Sequence, residues 1–182
     1  LMPTLLEDFM NNPVSSLVTV KCFPWTFDNK IGLIGDAAHA IVPFYGQGMN
    51  CGFEDCVVLD ELISKHNENW ETILHEYQLL RKPDSDAIAD LAIANFVEMR
   101  DKTADPVFLL QKKIEARFSE KHPDKWIPLY TMVTFSPKIR YSKALQGGNK
   151  QQSIMDKIMA MPNIDKKWDS DEVEKLILTE LN

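Results

Sequence analysis

The sequence predicts an α/β segment over residues 1–66 that passes into an all-helical segment over residues 67–182. Three observations carry this. A β-branched stretch at 17–23 has the composition of a strand. A short apolar run at 31–35 reads as a second strand and stops abruptly at Asp36. From Met49 onward the apolar positions recur at helical spacing. Two or three strands are too few for a sheet with both faces covered, so the α/β part is expected to need strands from elsewhere.

Taken in order, Leu17-Val18-Thr19-Val20-Lys21-Cys22-Phe23 alternates in part, is ended by Pro24, and leads to a turn at Asp28-Asn29-Lys30. Ile31-Gly32-Leu33-Ile34-Gly35 has the pattern of a strand buried on both faces. Met49, Phe53, Cys56, Val57, Leu59 and Ile63 mark a helix from Met49 to about Lys65, starting at the Gly46-Gln47-Gly48 turn. Trp70, Ile73, Leu74 and Tyr77 mark another helix. Pro83, at an N1-like position, opens one reaching Arg100, and Asp105-Pro106 caps and opens one running to Lys121. Pro123, Pro128 and Pro137 bound an extended stretch containing Tyr130. A short helix should end at Gly147-Gly148, with amphipathic segments at 153–161 and 169–181.

Composition excludes several classes. The 182 residues carry 27 acidic against 20 basic side chains, a net charge of −7. The bases are dispersed among acids, which argues against a nucleic-acid face. Cys22, Cys51 and Cys56 form no CxxC pair and lack histidines at metal-ligand spacing, so neither a disulfide framework nor a metal site is expected, and a reducing compartment is. The longest uncharged run, 37–53, contains Pro43, Gly46, Gln47, Gly48, Asn50 and Gly52, which a lipid-exposed helix does not tolerate together. No signal peptide is expected, because the N-terminus lacks a basic flank and its apolar run is broken at Glu7 and Asp8. The opening Leu1-Met2 raises the expectation of a piece of a longer protein.

The stretch that carries chemistry runs from Gly35 to Asn50. A strand ending in Gly-Asp puts the Asp36 carboxylate at the carboxyl edge of a sheet, where ligands of open α/β folds bind, and it suits a sugar hydroxyl. Ala37 and Ala38 keep the backbone clear. Gly46 and Gly48 allow close approach, and the free N–H groups of Met49 and Asn50 at a helix start present a positive dipole end. Taken singly these features are more often structural than functional; together they are not. His39, beside alanines, receives no role.

The whole stretch resembles the second flavin-binding signature of the FAD-dependent aromatic hydroxylases: Gly-Asp-Ala-Ala-His, a proline, then Gly-Gln-Gly-x-Asn. The resemblance implies a fragment of an FAD-binding Rossmann-like aromatic hydroxylase fold followed by an all-helical carboxyl-terminal segment. Residues 1–30 would end the substrate-domain sheet, 31–66 would form the FAD-binding strand-loop-helix, and 67–182 would contribute to the substrate pocket. It also implies that Asp36 meets the sugar part of FAD, and that the backbone from Gly46, Gln47 and Gly48 to Met49 and Asn50 faces the pyrimidine edge of the isoalloxazine. Pro43 and Phe44 would line the flavin's substrate side.

Within the family, Val42 to Asp55, Arg81 to Ala92, Asn95 to Met99 and Ile127 to Tyr130 look most like the branch that hydroxylates L-kynurenine, a likeness covering about residues 15–145. That branch implies FAD, with NADPH as co-substrate, and dioxygen adding to the reduced flavin as a hydroperoxide. It implies no nucleophile among these residues, and a location at the cytosolic face of the mitochondrial outer membrane through a tail absent from this sequence. The other partner implied is the missing amino-terminal part of the enzyme, without which this chain is expected to be inactive. Ile88, Leu91, Ala92, Phe96 and Met99 define the apolar face of the Asn95 helix, and Asn95 falls within it, so its amide must find a partner. The residues alone leave a satisfied core amide as the plainer alternative. By the resemblance, Asn95 and Tyr130 hold the amino-acid end of kynurenine, with Phe44, Glu98 and Met99 nearby. A hydroxylase of another aromatic acid, or a non-catalytic helical module with a decayed flavin motif, are the rival readings.

Overall fold

The computed structural model describes residues 2–181. Its sheet is a single antiparallel hairpin: β1 (Thr26–Phe27) pairs with β2 (Ile31–Gly32), placing Thr26 opposite Gly32 and Phe27 opposite Ile31. Asp28 and Asn29 both sit at φ 52°, in the left-handed region these side chains tolerate, so the turn falls where the sequence puts it. The strands themselves differ from expectation. Residues 17–23 form no strand; they are tied to this region by isolated bonds, among them the Val20 N–H to the Ala40 carbonyl at 2.8 Å and the Cys22 Sγ to the Ala38 carbonyl at 3.2 Å. Nor is the run 31–35 buried on both faces, since Ile31 is 59% and Ile34 40% exposed, and only Ile31–Gly32 of it is strand. The cause is common to both: among the described residues no further strand pairs with either segment, so the apolar sequence has no sheet to enter.

The chain opens on α1 (Leu5–Asn11), which the sequence reading did not foresee and which buries none of its residues. After the hairpin come α2 (Asp36–His39), a 3-10 turn (Pro43–Tyr45) and α3 (Gly48–His66). The inward stripe of α3 differs from the expected one. Cys51, Asp55 and Leu62 are buried, whereas Met49, Phe53, Cys56 and Val57 face out.

One 32-residue helix, α4 (Trp70–Asp101), replaces the two helices expected on either side of Pro83. The proline removes one i→i−4 bond, but it lies on the exposed face, and Arg140 Nη2 donates to the Leu80 carbonyl at 2.6 Å beside the interruption. Burial of Ile73, Tyr77, Ala87, Ile88 and Leu91 along both halves keeps the helix continuous. α5 (Pro106–Lys121) matches its expected bounds, with Asp105 accepting from the Val107 N–H at 2.8 Å.

The remaining elements are α6 (Leu129–Thr134), α7 (Tyr141–Met159), α8 (Ile164–Lys167) and α9 (Asp171–Leu181). Tyr130 therefore lies in a helix, not an extended stretch: Pro128 is the residue that starts α6. Helix α7 runs straight through Gly147-Gly148. A Cβ at Gly148 would stand 2.8 Å from Leu129 Cδ1, so the glycine lets α6 cross α7 closely. That packing offsets the roughly 0.5–1 kcal/mol that a mid-helix glycine costs.

Three apolar clusters hold these helices. Trp25, Ala38, Leu62, Ile73 and Tyr77 join the hairpin and α2 to α3 and α4. Cys51, Ile88, Leu91, Met132, Tyr141 and Ala144 join α3, α4, α6 and α7. A third, built around Phe118, Trp126, Met155 and Ile177, packs the end of the chain on α5. Among the described residues no helix is long and apolar enough to cross a membrane.

Candidate functional site

Residues 35–52 fold back so that their two ends meet. A Cβ on Gly52, one turn into α3, would lie 3.9 Å from the Gly35 Cα. Gly35 takes φ 59° and Gly46 φ 66°, conformations that favour glycine, and these two turns define the loop between them. Asp36, at the first position of α2, is exposed, and its carboxylate bonds to no other side chain among the described residues. Gly48, Met49 and Asn50 form the first turn of α3, whose backbone N–H groups have no acceptor within the helix. The bonded ladder starts one residue later, with the Cys51 N–H donating to the Gln47 carbonyl at 2.9 Å.

The Gln47 and Asn50 side chains, for which the sequence reading gave no part beyond their backbone, bond within the loop and to α7. The Gln47 Oε1 accepts from Asn50 Nδ2 at 2.9 Å and from the Tyr141 hydroxyl at 3.1 Å. Gln47 is buried, so its side chain braces the start of α3 against α7.

Beneath the loop lies a polar network that the sequence reading missed. Asp55 Oδ2 accepts from the Gly35 N–H at 3.0 Å and from His39 Nε2 at 2.5 Å, and Asp55 Oδ1 accepts from Arg81 Nε at 2.7 Å. Arg81 Nη2 also donates to the Cys51 carbonyl at 3.2 Å, and Nη1 lies 2.9 Å from Glu54 Oε2. Asp84 continues the network, accepting from Arg140 Nε at 2.7 Å and from the Ser142 N–H at 3.1 Å. His39, Asp55, Arg81 and Asp84 are all buried.

Burial, the largest single influence, would lower the His39 pKa, but the bonds and electrostatic pull of Asp55 and Cys51 together outweigh it and raise the imidazole to about 10. Burial would likewise raise the Asp55 carboxyl, and the donors His39, Arg81 and Gly35 hold it below the usual carboxylate range. His39 is thus a charged partner in a satisfied network. His39, Cys51 and Asp55 each offer a metal-ligand atom, all within 4.8 Å of one another. The Arg81 guanidinium already occupies Asp55 and the Cys51 carbonyl, so a further cation there would meet a fixed positive charge.

The signal for this network was in the sequence. Asp55 falls four residues after Cys51, and Arg81 four after Tyr77, each in register with a buried stripe. A charge on a buried stripe requires a partner, and the two helices supply each other's.

The expected substrate residues gather at a separate patch, where the 3-10 turn meets α4 and α6. Asn95 Nδ2 donates to the Phe44 carbonyl at 2.7 Å, which satisfies half of the amide and leaves its oxygen to accept. It also lies 3.6 Å from Met99 Sδ. The Phe44 and Phe96 rings are 4.4 Å apart, and Tyr45 stacks on Tyr130 at 5.6 Å. Burial first, then the Glu98 carboxylate and Tyr130, push the Tyr45 phenol up to about 12. Phe44, Asn95, Glu98, Met99 and Tyr130 are therefore close neighbours. Tyr130 is 52% and Met99 54% exposed, so the patch is open on one side.

Residues 19–92 match a family model described as an FAD binding domain. Over 177 residues, 97% of the chain, the sequence is 59% identical to a Flavobacterium johnsoniae protein named kynurenine 3-monooxygenase, and it covers 40% of that protein. The chain resembles the kynurenine 3-monooxygenases along nearly its whole length. A Christiangramia forsetii protein of the same name is 57% identical over 96% of the chain, with 39% of its own length covered. A Sus scrofa kynurenine 3-monooxygenase is 45% identical over 84% of the chain, with 32% covered.

The chain thus spans about 40% of the length of the curated bacterial relatives it matches. Likeness to the kynurenine 3-monooxygenases also reaches further than residue 145, since the match to a Flavobacterium psychrophilum relative takes in 181 residues at 55% identity. Helices α7, α8 and α9 therefore lie within the matched sequence.

Proposed function

We propose that this chain is the flavin-facing and substrate-facing part of a kynurenine 3-monooxygenase, which hydroxylates the ring of L-kynurenine with FAD, NADPH and dioxygen. The observation that carries the reading is the folded-back loop 35–52. It presents an exposed carboxylate, Asp36, and the unspent first-turn amides of α3 around two turns held open by glycine. These groups fit FAD: a carboxylate suits a sugar hydroxyl, and a helix N-terminus suits the electron-rich edge of the flavin ring. The exposed apolar faces of α1, β2 and α3 support the further reading that the remainder of the enzyme packs there.

FAD, when bound, supplies the chemistry that activates dioxygen with electrons from NADPH. The chain's own residues bind and orient. Asp36 holds the cofactor's sugar part. The Gly48, Met49 and Asn50 amides stabilise negative charge at the ring edge, a fixed dipole that needs no reorganisation during reaction. Pro43 and Phe44 would line the flavin's substrate side. Asn95 and Tyr130 hold the amino-acid end of kynurenine through the amide oxygen and the phenol, while Phe44, Phe96 and Met99 give its ring an apolar seat that excludes water. No step requires a nucleophile from these residues.

Asp36→Ala in the full-length protein tests the cofactor part. The loss of one charge-assisted hydrogen bond, about 1.5–3 kcal/mol, should weaken FAD retention at least tenfold. Because Asp36 is exposed and unbonded, the thermal midpoint of the apoprotein should stay where it is. Equal flavin content in mutant and parent contradicts the assignment.

A further inference from the structure

We propose that Asp55 is a positioning residue for the cofactor loop: its carboxylate ties both ends of α2 to α3 and α4 and thereby sets where the Asp36 carboxylate stands. The inference rests on the reading of Asp36 as a ligand of FAD. Its basis is the origin of the three donors that converge on Asp55. The Gly35 N–H, at 3.0 Å, precedes Asp36 directly; His39 Nε2, at 2.5 Å, ends the four-residue helix that Asp36 begins; Arg81 Nε, at 2.7 Å, comes from α4.

Ala38 also seats α2 in the core beside Trp25 and Leu62, and the Cys22 Sγ bonds to the Ala38 carbonyl at 3.2 Å, but Asp55 is the group that reaches both ends of the helix. One turn of helix is not stable alone. Gly35 provides no side-chain cap, and its φ of 59° is a conformation the chain must be held in. The Asp36 side chain bonds to none of the other described side chains, so its direction is inherited from its backbone, and a single carboxylate bonds the Gly35 N–H on one side of it and the His39 ring on the other. The packing of Gly52 near Gly35 brings α3 close but contributes no direction. Asp55 is fully buried and touches no position expected to meet FAD, so any effect it has on the cofactor travels through the loop.

A double-mutant cycle in the full-length protein tests this, with Asp36→Ala, Asp55→Asn and the pair, reading the FAD dissociation constant and the thermal midpoint of the apoprotein. Asparagine keeps the size of Asp55 but places an amide donor among three donors. Arg81 retains Glu54 and Asp84, so the fold is expected to survive with a lowered midpoint. Asp55→Asn is expected to weaken FAD about tenfold in the parent and less than about twofold once Asp36 is alanine. A purely structural role would lower the midpoint and leave the two effects on FAD additive. Additivity, or unchanged FAD affinity in Asp55→Asn, overturns the proposal. If Asp36→Ala alone leaves FAD affinity unchanged, the cofactor reading fails first, and Asp55 has no ligand to position. Should Asp55→Asn not fold, His39→Leu removes one donor while keeping the Asp55–Arg81 pair, and the same cycle and criterion apply.

Discussion

Arg81→Ala is expected to be among the most destabilising single substitutions in the chain, costing about 3–5 kcal/mol, because it leaves the buried Asp55 carboxylate without its cationic partner on α4. The guanidinium also satisfies the Cys51 carbonyl and lies against Glu54, so its removal strands several acceptors at once. His39 compensates in part, since its raised pKa keeps it charged beside Asp55 at neutral pH. That compensation has a defined sign: it is fully present below about pH 6.5, the unfolded value, and is lost as pH rises toward about 10. Denaturant unfolding of the full-length protein checks this. A loss below about 1 kcal/mol would show that the network is not a stabilising junction between α3 and α4.

The second large effect concerns substrate. Asn95→Ala is expected to raise KM for kynurenine by about tenfold and to increase the hydrogen peroxide released per NADPH consumed. Two causes combine. The amide oxygen is lost as an acceptor, and the Phe44 carbonyl loses the donor that fixes the 3-10 turn, so the wall of the ring seat loosens. Tyr130→Phe should act in the same direction but more weakly, by a few-fold, because the stack on Tyr45 survives and only the hydroxyl is removed. Contacts to the amino-acid end are nearly equal in ground and transition states, so kcat should move less than KM. Parent-like KM and coupling in both variants would return Asn95 to a bonded amide and Tyr130 to a packed ring.

How far the sequence was legible differs between its elements. The turns at Asp28-Asn29, the start of α3 after Gly48 and the Asp105-Pro106 cap are local, set by φ preference and capping, and they stand where composition puts them. The strand at 17–23 was not, because a β-branched run becomes a strand only when another backbone pairs with it. Gly147-Gly148 and Pro83 misled for a related reason. Both are breakers by local propensity, and both are overruled by packing: Leu129 against Gly148, and the buried stripe that continues on either side of Pro83. In the site, the residues expected at the substrate patch do lie together. The Asp55–Arg81–His39 junction was overlooked because its members sit 42 positions apart at the extremes of His39 and Arg81, and only the approach of α3 to α4 brings them into one network.

The central claim is that these residues serve kynurenine hydroxylation, and turnover with product identification tests it most directly. Full-length protein loaded with FAD is given NADPH, dioxygen and either L-kynurenine or a salicylate-like aromatic acid, and both hydroxylated product and hydrogen peroxide are counted. The account predicts ring-hydroxylated kynurenine with little peroxide, and no product from the other acid. NADPH oxidation that ignores kynurenine while another aromatic acid is hydroxylated would contradict it.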